Sequence, residues 1–492
     1  MNFVAPELYP ATAEILVALM ALALMLATAF ARGCARPLAY ALAQITLAAA
    51  AFATLLTLGV DARHTFNGTF VHDLLGGLLK LAVYLAMAIA LLYGRAWLAA
   101  RRLDRPEYYL LAILMTLGMM VMIAANHLLT LYIGLEMMSL SLYALVAFDR
   151  DAARSTEAGM KYFVLGALAS GLLLYGMSMI YGATGALELP AIAQAVSGQS
   201  AREPVLLLGL VFLVAGISFK LGVVPFHMWA PDVYQGAPTA VTLILATAPK
   251  FAALALAARL LPGGLPGLAA HWQTMLMLVA AASLILGNLA ALAQHNIKRM
   301  LAYSGISHMG FMLLGLLSGV VEGQNGLATD AYGGALFYVI AYVLMSLAAF
   351  GMVILLSRAG FEAENIEDFK GLNRRSPWFA ILMLFVMFSM AGIPFFIGFF
   401  AKFAVLQSAI AAGHYWLAAL AIVMSLIGAF YYLRIVKLMY FDEPAGNAPL
   451  QAPAGMQIML SVNGLAIAAL GLAPEMLFAL CAQAMRTSIV GG

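Results

Sequence analysis

Apolar residues fill the chain in blocks of roughly 20, parted by short polar or Gly/Pro-rich interruptions. A bilayer crossing takes about 20 mostly apolar residues, and a helix satisfies its own backbone in lipid. The pattern predicts an all-α polytopic membrane protein of about 14 transmembrane helices. They are expected near 10–31, 38–60, 74–94, 108–125, 128–148, 162–183, 204–222, 238–258, 272–294, 300–320, 331–357, 377–410, 415–433 and 455–480.

Two of these blocks are interrupted. The stretch 377–410 is too long for one straight crossing and contains Ala391-Gly392-Ile393-Pro394, so helix 12 is expected to break in the membrane. Helix 7 runs into Pro225, Pro231 and Pro238, which predicts a second unwound or re-entrant stretch. Ala215-Gly216-Ile217-Ser218-Phe219 with Gly222 matches Ala391-Gly392-Ile393-Pro394-Phe395 with Gly398 at an offset of 176. Copies five helices apart cross in opposite directions, as in inverted transporter repeats; chance matching in Ala/Gly/Phe-rich sequence is the alternative.

Loop charge tests the helix count independently. Odd-numbered loops hold 17 basic residues: Arg32, Arg36, Arg95, Arg101, Arg102, Arg105, Arg150, Arg154, Lys161, Lys298, Arg299, Arg358, Lys370, Arg374, Arg375, Arg434 and Lys437. Even loops hold three, Arg63, Arg202 and Arg259. Short cytoplasmic loops collect Lys and Arg, so the odd loops are expected in the cytoplasm and both termini outside. A miscounted span would scramble that asymmetry.

Composition narrows the function. The 492 residues are 64% hydrophobic and 10% charged, with a mean hydropathy of +0.98. A soluble enzyme is excluded, since ordinary soluble chains are about 25% charged. The net charge of +3 offers no basic excess for nucleic acid. Cys34 and Cys481 form no CxxC pair and cannot supply the four ligands of a common iron–sulfur cluster. No Walker A or metal-ligand spacing occurs, and the acidic N-terminus does not resemble a cleavable signal.

Ionisable residues inside the spans carry the chemistry. A charge at a helix centre costs roughly 2.5–3.5 kcal/mol on insertion scales. At ~1.5 Å rise per residue, Glu136 lies about 12 Å into helix 5 and Lys250 about 18 Å into helix 8. His308 is about as deep in helix 10, so all three fall near the middle of a ~30 Å core. Lys220 precedes the break in helix 7 and Lys402 follows that in helix 12. His227, in Val224-Pro225-Phe226-His227-Met228-Trp229, is a relay candidate or an interfacial cap. Lys80, six residues into helix 3, is expected to snorkel to the surface.

One buried acid and three buried lysines on separate helices make a chain of titratable groups. Burial disfavours a charged lysine and a nearby carboxylate favours it, so moving Glu136 relative to Lys220 would shift proton affinity. The proton would pass to Lys250, then His308 and Lys402. Moving one charge against the membrane potential needs about 2.3 kcal/mol per 100 mV, which a partner or counter-ion must supply. A structural role for the buried pairs is the plainer alternative.

At these residues a resemblance emerges. Phe219-Lys220-Leu221-Gly222-Val223-Val224-Pro225-Phe226-His227-Met228-Trp229-Ala230-Pro231-Asp232-Val233-Tyr234-Gln235-Gly236-Ala237-Pro238-Thr239 resembles the helix 7–8 signature of the antiporter-like subunits of respiratory complex I. Met228-Trp229-Ala230-Pro231-Asp232-Val233-Tyr234, followed by Ala246-Thr247-Ala248-Pro249-Lys250, looks like the subunit N type in particular, and Gly134-Leu135-Glu136 and Leu301-Ala302-Tyr303-Ser304-Gly305-Ile306-Ser307-His308-Met309-Gly310 fit that likeness as well. Ser304-Gly305 departs from the family's Ser-Ser pair.

The resemblance implies two inverted five-helix repeats with broken helices 7 and 12. The expected division is an N-terminal segment 1–105, repeats 106–262 and 263–441, and a C-terminal helix in 442–492. It implies that Glu136 pairs with Lys220, that Lys250 is the central relay and Lys402 the distal one. The implied role is a non-redox, proton-translocating subunit of NADH:quinone oxidoreductase in a bacterial inner (plasma) membrane. NADH, FMN, iron–sulfur clusters and quinone would belong to partner subunits, and other membrane subunits and lipids would be its neighbours. The alternative within this fold is a subunit of an Mrp-type cation/proton antiporter.

Overall fold

The structure, a computed structural model, describes residues 6–31, 33–59, 62–198, 204–320, 325–357, 360–444, 450 and 452–490. Arg32, Arg202 and Arg358 of the loop tally lie outside the described residues. Apolar runs become helices where expected: α1 (Thr12–Phe30), α2 (Ala35–Thr57), α3 (Leu74–Ala100), α4 (Pro106–Ile123), α5 (Leu128–Val146) and α6 (Ala153–Thr184). A hairpin, β1 (Arg63–Thr65) and β2 (Phe70–His72), links α2 to α3. After the short α7 (Leu189–Gly198) come α8 (Pro204–Leu221), α9 (Trp229–Gly236), α10 (Thr239–Ala246) and α11 (Pro249–Ala258).

The second half runs α12 (Ala269–Leu292), α13 (Ile297–Leu317), α14 (Asn325–Leu356), the single turn α15 (Leu372–Arg375), α16 (Pro377–Ala391), α17 (Ile397–Ala411), α18 (Tyr415–Phe441), α19 (Ala454–Leu472) and α20 (Pro474–Met485). Among the described residues, thirteen helical stretches are long and apolar enough to cross a membrane, and α16 and α17 are shorter apolar helices. The stretch 377–410 is thus divided at the expected Gly-Ile-Pro. The run 455–480 is also divided, at Ala473 before Pro474. Helix 8 is interrupted ahead of Pro249, where proline cannot donate the next backbone bond.

The two main breaks are built alike. Val223 N–H donates to the Ser218 carbonyl and Gly222 N–H to that of Phe219; Ile393 donates to Phe388 and Gly392 to Ser389. Gly222 (φ +77°) and Gly392 (φ +88°) take the left-handed conformation that closes a helix in a Schellman motif. The equivalent positions are therefore 170 apart (Gly222 to Gly392). The offset of 176 is corrected: it would set the interior of α8 against the open chain after α16.

The most enclosed helices are α10, α11, α13 and α14, while α1, α2, α6, α12, α18 and α19 expose wide apolar faces. Close approaches set the deep helices. A Cβ on Gly134 would stand 2.6 Å from Met122 N, and one on Gly287 2.8 Å from Ser307 N. Small residues let backbones meet in this way, which fixes α5 against α4 beside Glu136 and α13 against α12 beside His308.

Three basic residues depart from expectation. Lys80 does not snorkel: it is 1% exposed and paired with Glu14 of α1 at 2.5 Å. Arg259 is buried at the end of α11 and holds Asp73 through Nη1 (3.1 Å) and Nη2 (2.9 Å). Lys298 is also buried, bonded to the Ala237 carbonyl (3.2 Å) and Glu364 (2.9 Å).

Candidate functional site

A helix leaves its last four carbonyls without intrahelical donors. At the end of α8 the Schellman bonds satisfy Ser218 and Phe219, leaving Lys220 and Leu221. The Lys250 ammonium donates to the Leu221 carbonyl at 2.9 Å. At the end of α16 the same bonds leave Met390 and Ala391, and the Lys402 ammonium donates to both, at 3.0 and 2.9 Å. Each ammonium therefore sits at the negative end of a half-helix dipole. Lys250 reaches its break from a neighbouring helix, Lys402 from the second half of its own broken helix.

Both lysines are otherwise sparsely held. Lys250 is 4% exposed, with its Nζ 6.0 Å from the Trp229 ring. Trp229 is fixed by its indole N–H to the Phe219 carbonyl (3.0 Å) and by stacking on Tyr162. Lys402 adds a bond to Ser425 (2.9 Å) and lies 5.1 Å from the Phe311 ring.

Lys220 is buried and donates to Ser139 Oγ at 2.8 Å. Ser139 lies one helical turn beyond Glu136 on α5. Glu136 and Lys220 are not in ion-pair contact, although the Glu136 charge reaches the lysine. One Glu136 oxygen is buried without a hydrogen-bond partner. In place of the closed salt bridge implied by resemblance, Lys220 bonds Ser139 and feels the Glu136 carboxylate only through its charge.

His308 is enclosed between two tyrosines. Its Nδ1 meets the Tyr338 hydroxyl at 2.8 Å and its Nε2 the Tyr432 hydroxyl at 3.1 Å. Tyr432 also meets Ser304 Oγ at 2.5 Å. Asn288 bonds Ser307 and accepts from Tyr431. The Lys402 charge acts on His308, and Phe311, beneath that ammonium, stacks on Tyr338. His227 stands apart, half-buried in the turn after α8, with no hydrogen bond to the other five candidates.

Sequence reasoning missed Ser139, Ser425, Tyr338 and Tyr432. With 20 tyrosines in the chain, nothing marks two of them as hydroxyl partners of an imidazole. Asn288, a lone amide within an apolar span, was the available signal. No group of three or more His, Cys, Asp or Glu among the described residues is placed to hold a metal.

At the other end of the break, Asp232 of α9 accepts from Arg299 (2.6 Å) and Lys161 (3.0 Å). Burial raises its carboxyl affinity for a proton, but those two bonds and charges outweigh it and hold Asp232 below the usual range. A lowered folded value means the pair stabilises above pH about 3.8, the ordinary value, and is lost as pH falls through the lowered one. Being half-exposed, these contacts are screened by solvent and add little to stability.

The two break glycines differ in what a side chain would meet. A Cβ on Gly392 would lie 3.0 Å from Lys402 Cδ and 3.2 Å from its Nζ; on Gly222 the nearest atom, Trp229 Cζ2, is 3.6 Å away. Gly222→Ala is expected to cost only the strain of a left-handed residue, roughly 1–2 kcal/mol. Gly392→Ala should cost the same strain and also displace the ammonium, lowering turnover further. Activity per assembled complex for the two variants checks this; equal activities refute it.

The family described as NADH:quinone oxidoreductase/Mrp antiporter, TM, matches residues 125–428, more than half the chain. A curated relative from Azoarcus sp. (strain BH72), NADH-quinone oxidoreductase subunit N, is 70% identical over 488 residues, 99% of this chain and 99% of that protein. A chain of "Respiratory complex I from Thermus thermophilus with bound Aureothin" superposes with a TM-score of 0.81 at 32% identity, covering 96% of this chain and 99% of that one. A chain of the Mrp complex from Dietzia sp. DQ12-45-1b gives 0.82 at 21% identity over 98% and 99%. That last likeness is one of fold alone.

Proposed function

The chain belongs to the NADH:quinone oxidoreductase/Mrp antiporter membrane family, and from that premise we propose that it is the proton-translocating subunit N of an NADH:quinone oxidoreductase. The observation that carries this reading is the repeated geometry at the breaks: a buried lysine on the free carbonyls of each half-helix. An ammonium there gains from the helix end while protonated and loses that gain on release. A small shift of the half-helix therefore changes how tightly the lysine holds its proton.

The proton line runs from Glu136 and Lys220 through Lys250 and His308 to Lys402. Tyr338 and Tyr432 serve both imidazole nitrogens, so a proton can arrive at one and leave from the other. Redox chemistry belongs to partner subunits, and this subunit converts their electrostatic push into proton movement. The breaks fall in the fourth helix of each of two five-helix repeats, 106–262 and 263–441. The lysine- and arginine-rich loops face the cytoplasm of a bacterial inner membrane.

Glu136→Gln removes the charge that acts on Lys220 while keeping the side chain's shape. It is expected to lower pumping and coupled turnover with the complex still assembled. Assembly on a native gel and acidification of inverted vesicles check this. Failure of the subunit to co-migrate with NADH:quinone reductase activity would favour the antiporter reading, and sodium-driven proton flux without NADH would establish it.

A further inference from the structure

Besides the bonds that close each first half-helix, both breaks carry a bond that spans them. At the first, the indole N–H of Trp229 donates to the Phe219 carbonyl at 3.0 Å. At the second, the Gly398 N–H donates to Ser389 Oγ at 3.0 Å. Each donor stands in the first turn of the second half-helix, α9 or α17. Each acceptor belongs to the residue three before the break glycine, Phe219 before Gly222 and Ser389 before Gly392. Phe219 and Ser389 therefore share the offset of 170 that relates the two glycines. The chemistry is exchanged: side chain to backbone at one break, backbone to side chain at the other. What repeats is the place of the bond and not the residue that makes it.

That place decides what the lysines meet. Gly398 and Lys402 are one helical turn apart on the same face of α17. Tying Gly398 to Ser389 sets how far the Lys402 ammonium lies from the Met390 and Ala391 carbonyls, which directly follow Ser389. The fit is tight, since Ser389 is fully buried and a Cβ on Gly398 would collide with the Ser389 carbonyl oxygen.

At the first break the strap is the indole itself. Its ring stacks on Tyr162 with centroids 4.6 Å apart and stands 5.5 Å from the Phe219 ring. A Cβ on Gly222 would lie 3.6 Å from Trp229 Cζ2 and 3.8 Å from Lys250 Nζ, so indole, break and ammonium crowd one spot. Two residues after Phe219, Leu221 offers Lys250 its carbonyl.

We propose that Trp229 and Ser389 are positioning residues, each strapping the two halves of its broken helix together and so holding the free carbonyls against the relay lysine. The inference rests on the relay reading. Without its strap the second half-helix shifts, the ammonium loses carbonyl contact, and the lysine holds its proton less tightly. The other groups around the lysines stay in place. Among the described residues no further charge acts on Lys250, while His308 and Phe311 of α13 and Ser425 of α18 face Lys402.

The test uses the assembled complex in sealed inverted vesicles, with protons counted per NADH oxidised from mildly acidic to alkaline pH. Trp229→Phe keeps a ring without the N–H, and Ser389→Ala removes one hydroxyl. Lys250→Met is run in parallel. Both strap variants are expected to assemble and to pump roughly two- to tenfold less, the worth of one net hydrogen bond. The loss should deepen as pH rises, because a loosely held proton is then missing more often. A role in packing alone lowers pumping equally at every pH. That result, or wild-type pumping, in either assembled strap variant overturns the proposal. If Trp229→Phe does not assemble, Ser389→Ala decides alone. Wild-type pumping by Lys250→Met overturns the relay reading instead, so the two failures are told apart.

Discussion

Replacing Lys250 by arginine is expected to stop proton pumping as thoroughly as replacing it by methionine. Lys250 is the central group of the line, fully enclosed, and bonded to the Leu221 carbonyl. Methionine fills the volume and removes both donor and charge. Arginine restores a donor and a permanent charge at the same half-helix end, but a guanidinium does not release its proton in a protein. A site that only pins two helices together works with arginine, whereas a relay fails with it. The expected loss is at least about tenfold in pumping, equivalent to ~1.4 kcal/mol on the barrier. Assembly and NADH oxidation by artificial acceptors should stay close to normal. Vesicle acidification measures the outcome, and an arginine variant that pumps would leave Lys250 a structural residue.

The helices were legible because apolar length is a local property: each run of about 20 residues is a helix whatever surrounds it. The break at Gly392 was legible for the same reason, since glycine and proline mark it within four residues. Depth along a helix also follows from counting, and it singled out Glu136, Lys250 and His308. Partners do not follow from counting. Lys250 meets a carbonyl 29 residues away and His308 a hydroxyl 124 residues away, both set by how helices pack. The same blindness misplaced Lys80, which lies near enough to a helix end to snorkel but faces Glu14 instead of lipid. His227, singled out by its motif, lies beside the line without joining it.

Arg259 is the sharpest case of a charge mistaken for a loop residue, and it predicts the largest loss of stability. It sits where α11 ends, close enough to the span's edge to be counted among outward arginines. In the structure its guanidinium grips both oxygens of Asp73 and donates Nε–H to the Ile123 carbonyl at 2.6 Å. Asp73 also caps α3, accepting from Gly76 N–H at 2.7 Å. One buried pair therefore ties the ends of α3, α4 and α11 together. Burial alone would raise the Asp73 carboxyl, but Arg259 and the Gly76 bond hold it below the usual range, so it remains charged at neutral pH. Arg259→Ala leaves that carboxylate buried and unpaired, a change that costs about 3–5 kcal/mol. The expected result is a lower melting temperature of the purified complex, or loss of this subunit from it. Arg259→Met with Asp73→Leu removes both charges and should recover most of that loss, because well-packed apolar replacements of a buried pair are often neutral. Equal instability of the single and double variants would mean that the Ile123 and Gly76 bonds, and not the ion pair, hold this corner.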